Sequence, residues 1–228
     1  MKVGVLGATG PAGRGLVSRL ANVGLRVYAG SRDQAKAEAM VKQLKDQWGH
    51  RMARIEAVPN AEAAEQGEIV VLATRAAATV DTAAAYAEAL AGKPVVSMAS
   101  SMVKVGASFQ YLQGRAPRRS HVVPIAKGSI AAAVQAAAPE ALVAAALHHV
   151  PATALANLDQ PMVGDVVVVS DHLEALRATE ALVSAMPDLR ALDGGPLENA
   201  LGLESFTAVI LTVNLRYGGR ATLQLMAS

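Results

Sequence analysis

Cysteine is absent from the 228 residues, which excludes a disulfide framework, a thiolate metal site and a cysteine nucleophile. Aromatic residues make up only 3% of the chain and the formal charges nearly cancel at +2. No dense run of Lys and Arg is interleaved with aromatics, so nothing marks a nucleic-acid face. Long hydrophobic runs are also missing. The stretches around Ile130 to Leu147 and Phe206 to Leu215 are interrupted by Gln135, Pro139 and Glu140 or are too short to cross about 30 Å of hydrocarbon. The opening MKVGVLGATG lacks the apolar core of a cleavable signal. The expectation is a soluble, cytoplasmic protein with small-molecule partners and neither a membrane nor a nucleic-acid partner. What is there, 52% hydrophobic and 18% charged residues, suffices for one sizeable core, or for a main domain with a small companion.

The segment KVGVL reads as a short strand buried on both faces, followed by the loop GATGPAG and an amphipathic stretch carrying Leu16, Leu20 and Val23. Gly24 stops that helix, Arg26 to Ala29 makes a second strand, and a charged helix runs from about Gln34 to Trp48. Further strands are expected at Arg54–Ala57, Ile69–Leu72, Pro94–Met98, Val143–His148, Asp165–Ser170 and Leu189–Leu192. Helices are expected at Ala61–Glu65, Val80–Ala91, Ile130–Ala138, Leu173–Ala185 and about Glu198–Arg216. Strands separated by helices predict a Rossmann-type, doubly wound α/β fold on a mostly parallel sheet. Residues 1–151 read as the nucleotide-binding domain and 152–228 as a small C-terminal α/β lobe closing over it. Ser100 to Pro124 is the least regular stretch.

Gly7, Gly10 and Gly13 recur at three-residue spacing between a strand and a helix, where glycine permits a tight turn and exposes backbone N–H groups to a pyrophosphate. Ala8 makes this a GxxGxxG variant of the usual fingerprint, and the alternative is glycines that serve packing alone. At the end of the second strand a free ribose 2'-hydroxyl calls for a carboxylate and a 2'-phosphate for cations. Ser31, Arg32 and Lys36 stand there and favour NADP, Arg32 through a forked hydrogen-bond pair and Lys36 as a point charge. A solvated helix face is the competing reading, and Asp33, turned inward, would favour NAD instead.

Acid, base and metal groups are scarce. Tyr28, Tyr86, Tyr111 and Tyr217 are followed at i+4 by Arg32, Leu90, Arg115 and Ala221, so the Tyr and Lys pair of the short-chain dehydrogenases is absent. His50, His121, His148, His149 and His172 show no metal spacing, and His148 and His149 at a strand end would point to opposite faces. No metal and no catalytic acid or base is expected. One of His148 and His149 can line the cleft, because ligands bind at strand C-terminal ends in open α/β sheets; the alternative is a histidine satisfied by backbone. Direct hydride transfer between two redox rings needs neither metal nor strong acid, and a binding module fits the same scarcity.

The segments GATGPAGRGL, GSRDQAKAEA, ALHHVPATALANLD and LDGGPLENALGLESFTAVIL together resemble the NADPH-dependent reductases of coenzyme F420, an 8-hydroxy-5-deazaflavin. The resemblance covers nearly the whole chain and is weakest in Ser100 to Pro124. It implies a Rossmann domain with a small lobe, a homodimer, and reversible hydride exchange between nicotinamide C4 and deazaflavin C5, with NADP(H) as cofactor and F420 as co-substrate. Residue by residue, it implies adenosine-phosphate contacts at Thr9, Ser31, Arg32 and Lys36, and a pyrophosphate loop at Gly10, Pro11 and Ala12. It implies a nicotinamide wall at Ala73, Thr74, His148 and Val150, and deazaflavin-side contacts at Ser97, Ser205, Thr207 and Leu223. Ser205 and Thr207 can equally be helix hydroxyls bonded to preceding carbonyls. Two positions depart from the family: Pro11 stands where a polar residue is frequent and removes a backbone donor, and Leu201 stands where some members carry a basic residue. Arg115, Arg118, Arg119, Arg216 or Arg220 could then meet the anionic tail of the deazaflavin. Other acceptors (a flavin, a quinone, a metal chelate) and a non-catalytic NADPH sensor are the rival readings.

Overall fold

The apolar run at the start forms strand β1 (Lys2–Leu6), and helix α1 (Pro11–Asn22) follows the glycine loop. Residues 1–118, 121–124, 128–219 and 221–226 are described by the computed structural model. Helix α1 ends as its sequence suggests: Gly24, at φ +84°, gives its amide to Ala21 O at 2.9 Å and Leu25 gives its amide to Leu20 O at 3.2 Å, the paired bonds of a Schellman cap. Then come β2 (Arg26–Ser31), α2 (Gln34–Trp48), β3 (Ile55–Pro59), α3 (Asn60–Gln66) and β4 (Ile69–Leu72). The helix expected at Val80–Ala91 is two helices, α4 (Ala76–Ala85) and α5 (Ala87–Leu90), separated at Tyr86, whose φ −118° and ψ 19° leave the helical region. After β5 (Pro94–Ser97), the irregular stretch resolves into two antiparallel hairpins, β6 (Met102–Val105) with β7 (Ser108–Tyr111) and β8 (Arg115–Arg118) with β9 (His121–Pro124). The chain continues through α6 (Ile130–Ala137), β10 (Leu142–Ala145), α7 (Ala152–Ala156), β11 (Gly164–Ser170), α8 (Leu173–Ser184), β12 (Leu189–Asp193) and α9 (Ala200–Tyr217).

The main sheet has eight strands in the order β12-β11-β10-β5-β4-β1-β2-β3. Strands β1 to β5 and β10 run parallel, whereas β11 is antiparallel to β10 and carries β12 parallel to itself. Residues beyond 151 thus extend the same sheet as the first 151. Both faces are covered, which is why the strands read as continuous apolar runs. Val3, Val5, Ile69 and Val71 pack with Leu16 and Leu20 of α1 on one face, and Leu6, Val70, Leu72 and Val95 with Ile130 and Val134 of α6 on the other. The chain builds β1, β2 and β3 outward, then crosses back to place β4 on the other side of β1. That reversal opens a crevice between the C-terminal ends of β1 and β4, the ligand position in sheets of this kind.

Candidate functional site

The crevice begins where β1 gives way to the glycine loop. Gly7 adopts φ +82°, and a Cβ there would lie 2.7 Å from Thr74 Cγ2 and 3.1 Å from Ala73 O. A Cβ on Gly13 would lie 2.5 Å from Gly7 O, so any side chain at either position would push the turn apart. The amides of Gly7 and Ala8 donate to Gly30 O at 3.2 and 2.9 Å, and Gly10 donates to Gly7 O at 3.1 Å. Gly10 is the N-cap of α1 and offers no side chain to its free amides. Pro11, at the first helical position, removes an N–H that the helix itself cannot use. The Ala12 and Gly13 amides lead the positive end of the helix toward the crevice, a cradle suited to a pyrophosphate. Thr9 is exposed beside it. Sequence reasoning missed Asn60, 4% exposed, whose Oδ1 accepts from Gly7 N at 3.3 Å and steadies the turn from α3.

At the end of β2, Ser31 is buried and its Oγ accepts from Asp33 N at 3.1 Å. Asp33 caps α2, accepting from Lys36 N at 3.2 Å, and pairs with Lys36 Nζ at 3.1 Å. The Lys36 amide first, and then its side chain, hold the Asp33 carboxyl below the usual range. The inward turn that would favour NAD is therefore taken up by capping. Lys36 is likewise committed, though an exposed pair is worth only about 0.2–1 kcal/mol and opens readily. Arg32 is exposed and, among the described residues, has no partner.

On the far side of the crevice, Ala73 and Thr74 leave β4, with Ala73 N donating to Leu6 O at 2.9 Å and Thr74 Oγ1 3.0 Å from Thr79 Oγ1. Strand β10 ends at Ala145, earlier than the expected His148, because Leu147 takes φ +66°. A buried leucine in the left-handed region is strained and is held there by its surroundings. It turns the chain so that Val150 N donates back to Leu147 O at 3.2 Å. The expectation of two histidines on opposite faces of a strand is corrected accordingly: both lie in this turn and both are 8% exposed. His149 Nε2 lies 2.8 Å from Asp165 O, whereas His148 Nε2 has no partner. Burial, reinforced by His149, pushes the His148 imidazole down to about 3, and burial also lowers His149, so both are neutral.

Ser97, at the end of β5, is 0% exposed and its Oγ also lacks a partner. Ser97 Oγ and His148 Nε2 are the two orphaned buried side-chain atoms among the described residues, one at the end of β5 and the other in the turn that follows β10, the strand paired with β5. An unmet buried polar atom costs about 1–3 kcal/mol, and a ligand that supplies the missing bonds removes that cost. With the glycine cradle, these residues suit a dinucleotide carrying a polar ring.

Farther along, Ser205 Oγ donates to Gly202 O and Thr207 Oγ1 to Leu203 O, both at 3.0 Å, so both hydroxyls are bonded to preceding carbonyls. Ser100, three residues beyond Ser97, donates its Oγ to Glu204 O at 2.5 Å and ties this part of α9 to the crevice. Leu223 is half-buried and its carbonyl accepts from Asp165 N at 2.7 Å. The Asp165 carboxylate, held below its usual range chiefly by Arg190, accepts from Arg190 Nε and Nη2 at 2.8 Å each. Of the cations considered for an anionic tail, Arg115 is exposed and Arg216 Nε reaches Ala107 O at 3.4 Å. Arg119, Arg220 and the Arg118 side chain lie outside the described residues.

Residues 2–101 match the family model described as NADP oxidoreductase coenzyme F420-dependent. The F420-dependent NADP reductase of Methanothermobacter marburgensis is 33% identical over 221 residues, 95% of this chain and 93% of that protein. The F420-dependent NADP reductase of Methanocaldococcus jannaschii is 32% identical over 224 residues, 97% and 96% of the two chains. The chain belongs to this family. Among solved structures, a candidate F420-dependent NADP-reductase from Arthrobacter sp. FB24 superposes with a TM-score of 0.78 at 25% identity, covering 100% of both chains.

The segment that matches the NADP oxidoreductase family model runs from β1 past β5, so it contains the glycine turn, Ser31 to Lys36, Ala73, Thr74 and Ser97. His148, Val150, Ser205, Thr207 and Leu223 lie beyond it, and the reductase relatives match 95% and 97% of the whole chain. Sequence reasoning missed two further residues. Arg19, 5% exposed on α1, donates to the carbonyls of Ala154 at 2.6 Å and Leu155 at 3.2 Å, and so fixes α7, just beyond the His148 turn. Glu204, 0% exposed, is a lone acid within the apolar run LGLESFTAVIL, and that isolation was its available signal.

Proposed function

We propose that the chain transfers a hydride directly and reversibly between NADPH and coenzyme F420. What carries this reading is the 33% identity over 95% of the chain to a protein whose name gives both redox partners. In the proposed arrangement Gly7, Gly10 and Gly13 shape the turn, and Pro11 with the Ala12 and Gly13 amides faces the pyrophosphate. Thr9, Ser31, Arg32 and Lys36 take the adenosine phosphate, while Ala73, Thr74, His148 and Val150 wall the nicotinamide. Ser97, Ser205, Thr207 and Leu223 line the deazaflavin side.

When bound, the two cofactors supply the redox chemistry, hydride moving from nicotinamide C4 to deazaflavin C5 with uptake of one proton from solvent. The chain's residues position and exclude water. His148, neutral because burial holds it down to about 3, carries no charge that would oppose a developing nicotinamide cation. Its Nε2 and the Ser97 hydroxyl offer hydrogen bonds that no other group among the described residues takes. Hydride transfer between held rings relies on proximity and orientation more than on acid or base groups, in keeping with the apolar walls at Ala73 and Val150.

The proposal includes a cytoplasmic homodimer with residues 152–228 closing the cleft. Phe206, Val209, Val213 and Tyr217 are exposed along one face of α9, and a second copy of the chain is the occupant that would cover them. The test is spectroscopic: protein, NADPH and oxidised F420, followed by loss of the deazaflavin's visible absorbance, with NADH and FMN as controls. Bleaching that requires NADPH and F420 together is expected. Tight binding of NADPH with no bleaching would reject the reading.

A further inference from the structure

Glu204 is wholly enclosed by groups from several elements. Its Oε2 accepts from Ile130 N at 2.9 Å and from the Tyr111 hydroxyl at 3.2 Å, and its Oε1 accepts from Ala131 N at 3.0 Å. With Ser100 Oγ on its backbone carbonyl, this one residue joins α9, the first turn of α6, β7 and the loop leaving β5. A purely local capping role does not account for it. Ser129 already caps α6, accepting from Ala132 N at 3.1 Å. A buried carboxylate is costly unless hydrogen bonded, and here three donors and a helix N-terminus meet it. Ser205 and Thr207 stand on the same turn of α9.

We propose that Glu204 is a positioning residue for the deazaflavin side of the cleft: its carboxylate locks the turn carrying Ser205 and Thr207 to α6 and β7, and its protonation slackens those bonds locally while the side chain stays buried, without opening it to water. This rests on the assignment of that side of the cleft to F420. Protonation matters because it removes the charge that the Ile130 and Ala131 amides and the Tyr111 hydroxyl share, turning charge-assisted bonds into weaker ordinary ones. Burial pushes the Glu204 carboxyl up to about 7, against the opposing pull of the two amides and Tyr111, so both forms are populated near neutrality. Tyr111, itself raised by burial and then by Glu204, keeps its proton throughout, and its hydroxyl also lies 3.4 Å from Gly128 O. It is the titratable group in hydrogen-bond contact with Glu204 from β7. Helix α6 and residues 98–101 carry no charged residue, Lys104 and Arg115 on the hairpins are exposed, and Arg216 of α9 is held at Ala107 O.

The experiment compares wild type, E204Q and Y111F in steady-state turnover of NADPH with F420 across about pH 5.5 to 8.5. Any titration of F420 itself is common to all three and cancels in the ratios. At the alkaline end E204Q should lose about tenfold in kcat/KM for F420, as expected for one buried charge-assisted bond, with KM for NADPH unchanged. The deficit should close toward the acid end, where wild type also carries a neutral side chain. Y111F keeps the carboxylate but removes a donor that favours its ionised form, so the wild-type step should persist and move to higher pH.

A pH-independent deficit in E204Q, an unmoved step in Y111F, or a parallel rise in KM for NADPH would overturn the proposal. Hydrogen exchange of the α9 amides in the same proteins separates it from the substrate assignment. Protection that falls with acid in wild type and is flat in E204Q, without F420 turnover, would keep Glu204 as the anchor and reject F420; equal profiles in both would reject the anchor.

Discussion

Arg32 and Lys36 look alike in the sequence but stand differently in the fold. Lys36 already shares its charge with Asp33 at 3.1 Å, while Arg32 has no partner among the described residues. Arg32→Ala should therefore raise KM for NADPH by about tenfold or more, the scale of a forked guanidinium–phosphate contact, and leave KM for NADH within about twofold. Lys36→Ala should change either value by no more than about twofold, because the exposed pair must first open and is worth little. Steady-state titration of both dinucleotides decides the matter, and equal losses for NADPH and NADH would move the 2'-phosphate away from β2. Ser97 gives a second residue-scale prediction. Since its hydroxyl is buried without a partner, Ser97→Ala should leave the melting point of the ligand-free protein unchanged or raise it, by up to about 1–3 kcal/mol of stability. At the same time it should raise KM for F420. A drop in ligand-free stability would mean that Ser97 bonds within the chain.

Among the elements, those legible in the sequence are the ones whose local pattern and tertiary burial agree. Strands β1 and β4 are apolar on both faces because both faces are covered, and α1 ends at a glycine that its cap needs. Hairpin β6–β7 was illegible because a short strand such as MVKV, with Val103, Lys104 and Val105 exposed, carries no burial pattern. The reversal of β11 was hidden for another reason: a run such as DVVVVS reads the same in either direction. The break between α4 and α5 at Tyr86 has neither Pro nor Gly to announce it. In the site, the loop and the cations were legible as spacings, but the orphaned atoms, the left-handed Leu147 and the partners of Glu204 depend on residues far apart in sequence. Helix α9 bears on assembly, since Val209 and Val213 also line a groove of ≈ 510 Å³ against Phe109 and Tyr111 of β7. Val209→Glu should convert the proposed homodimer to monomer in sedimentation velocity at micromolar concentration, because a charge in the middle of an apolar interface is left unpaired. An unchanged sedimentation coefficient would remove α9 from the interface.

At the scale of the whole molecule, buried ionisable groups of opposite tendency set how stability follows pH. His148 is held down to about 3, and His149 is lowered as well. The unfolded chain therefore binds protons at these sites before the folded one does, and their stabilising effect, complete above the ordinary histidine range near 6.5, is lost as pH falls. Glu204 acts in the opposite sense. Its folded value of about 7 lies above the unfolded 4.5, so its contribution is complete below the unfolded value and is lost as pH rises through about 7. Between about pH 5 and 6.5 the carboxyl thus cancels one histidine's worth of proton uptake on unfolding, and without it the acid loss steepens by up to ~1.4 kcal/mol per pH unit. Urea denaturation of wild type and E204Q at several pH values across that window measures the two slopes. E204Q should lose stability toward acid more steeply than wild type whatever its absolute stability, because the comparison is of slopes and not of heights. Parallel curves would mean that Glu204 does not change protonation on folding in this range, and the cancellation between the strand-end histidines and the α9 carboxyl would have to be abandoned.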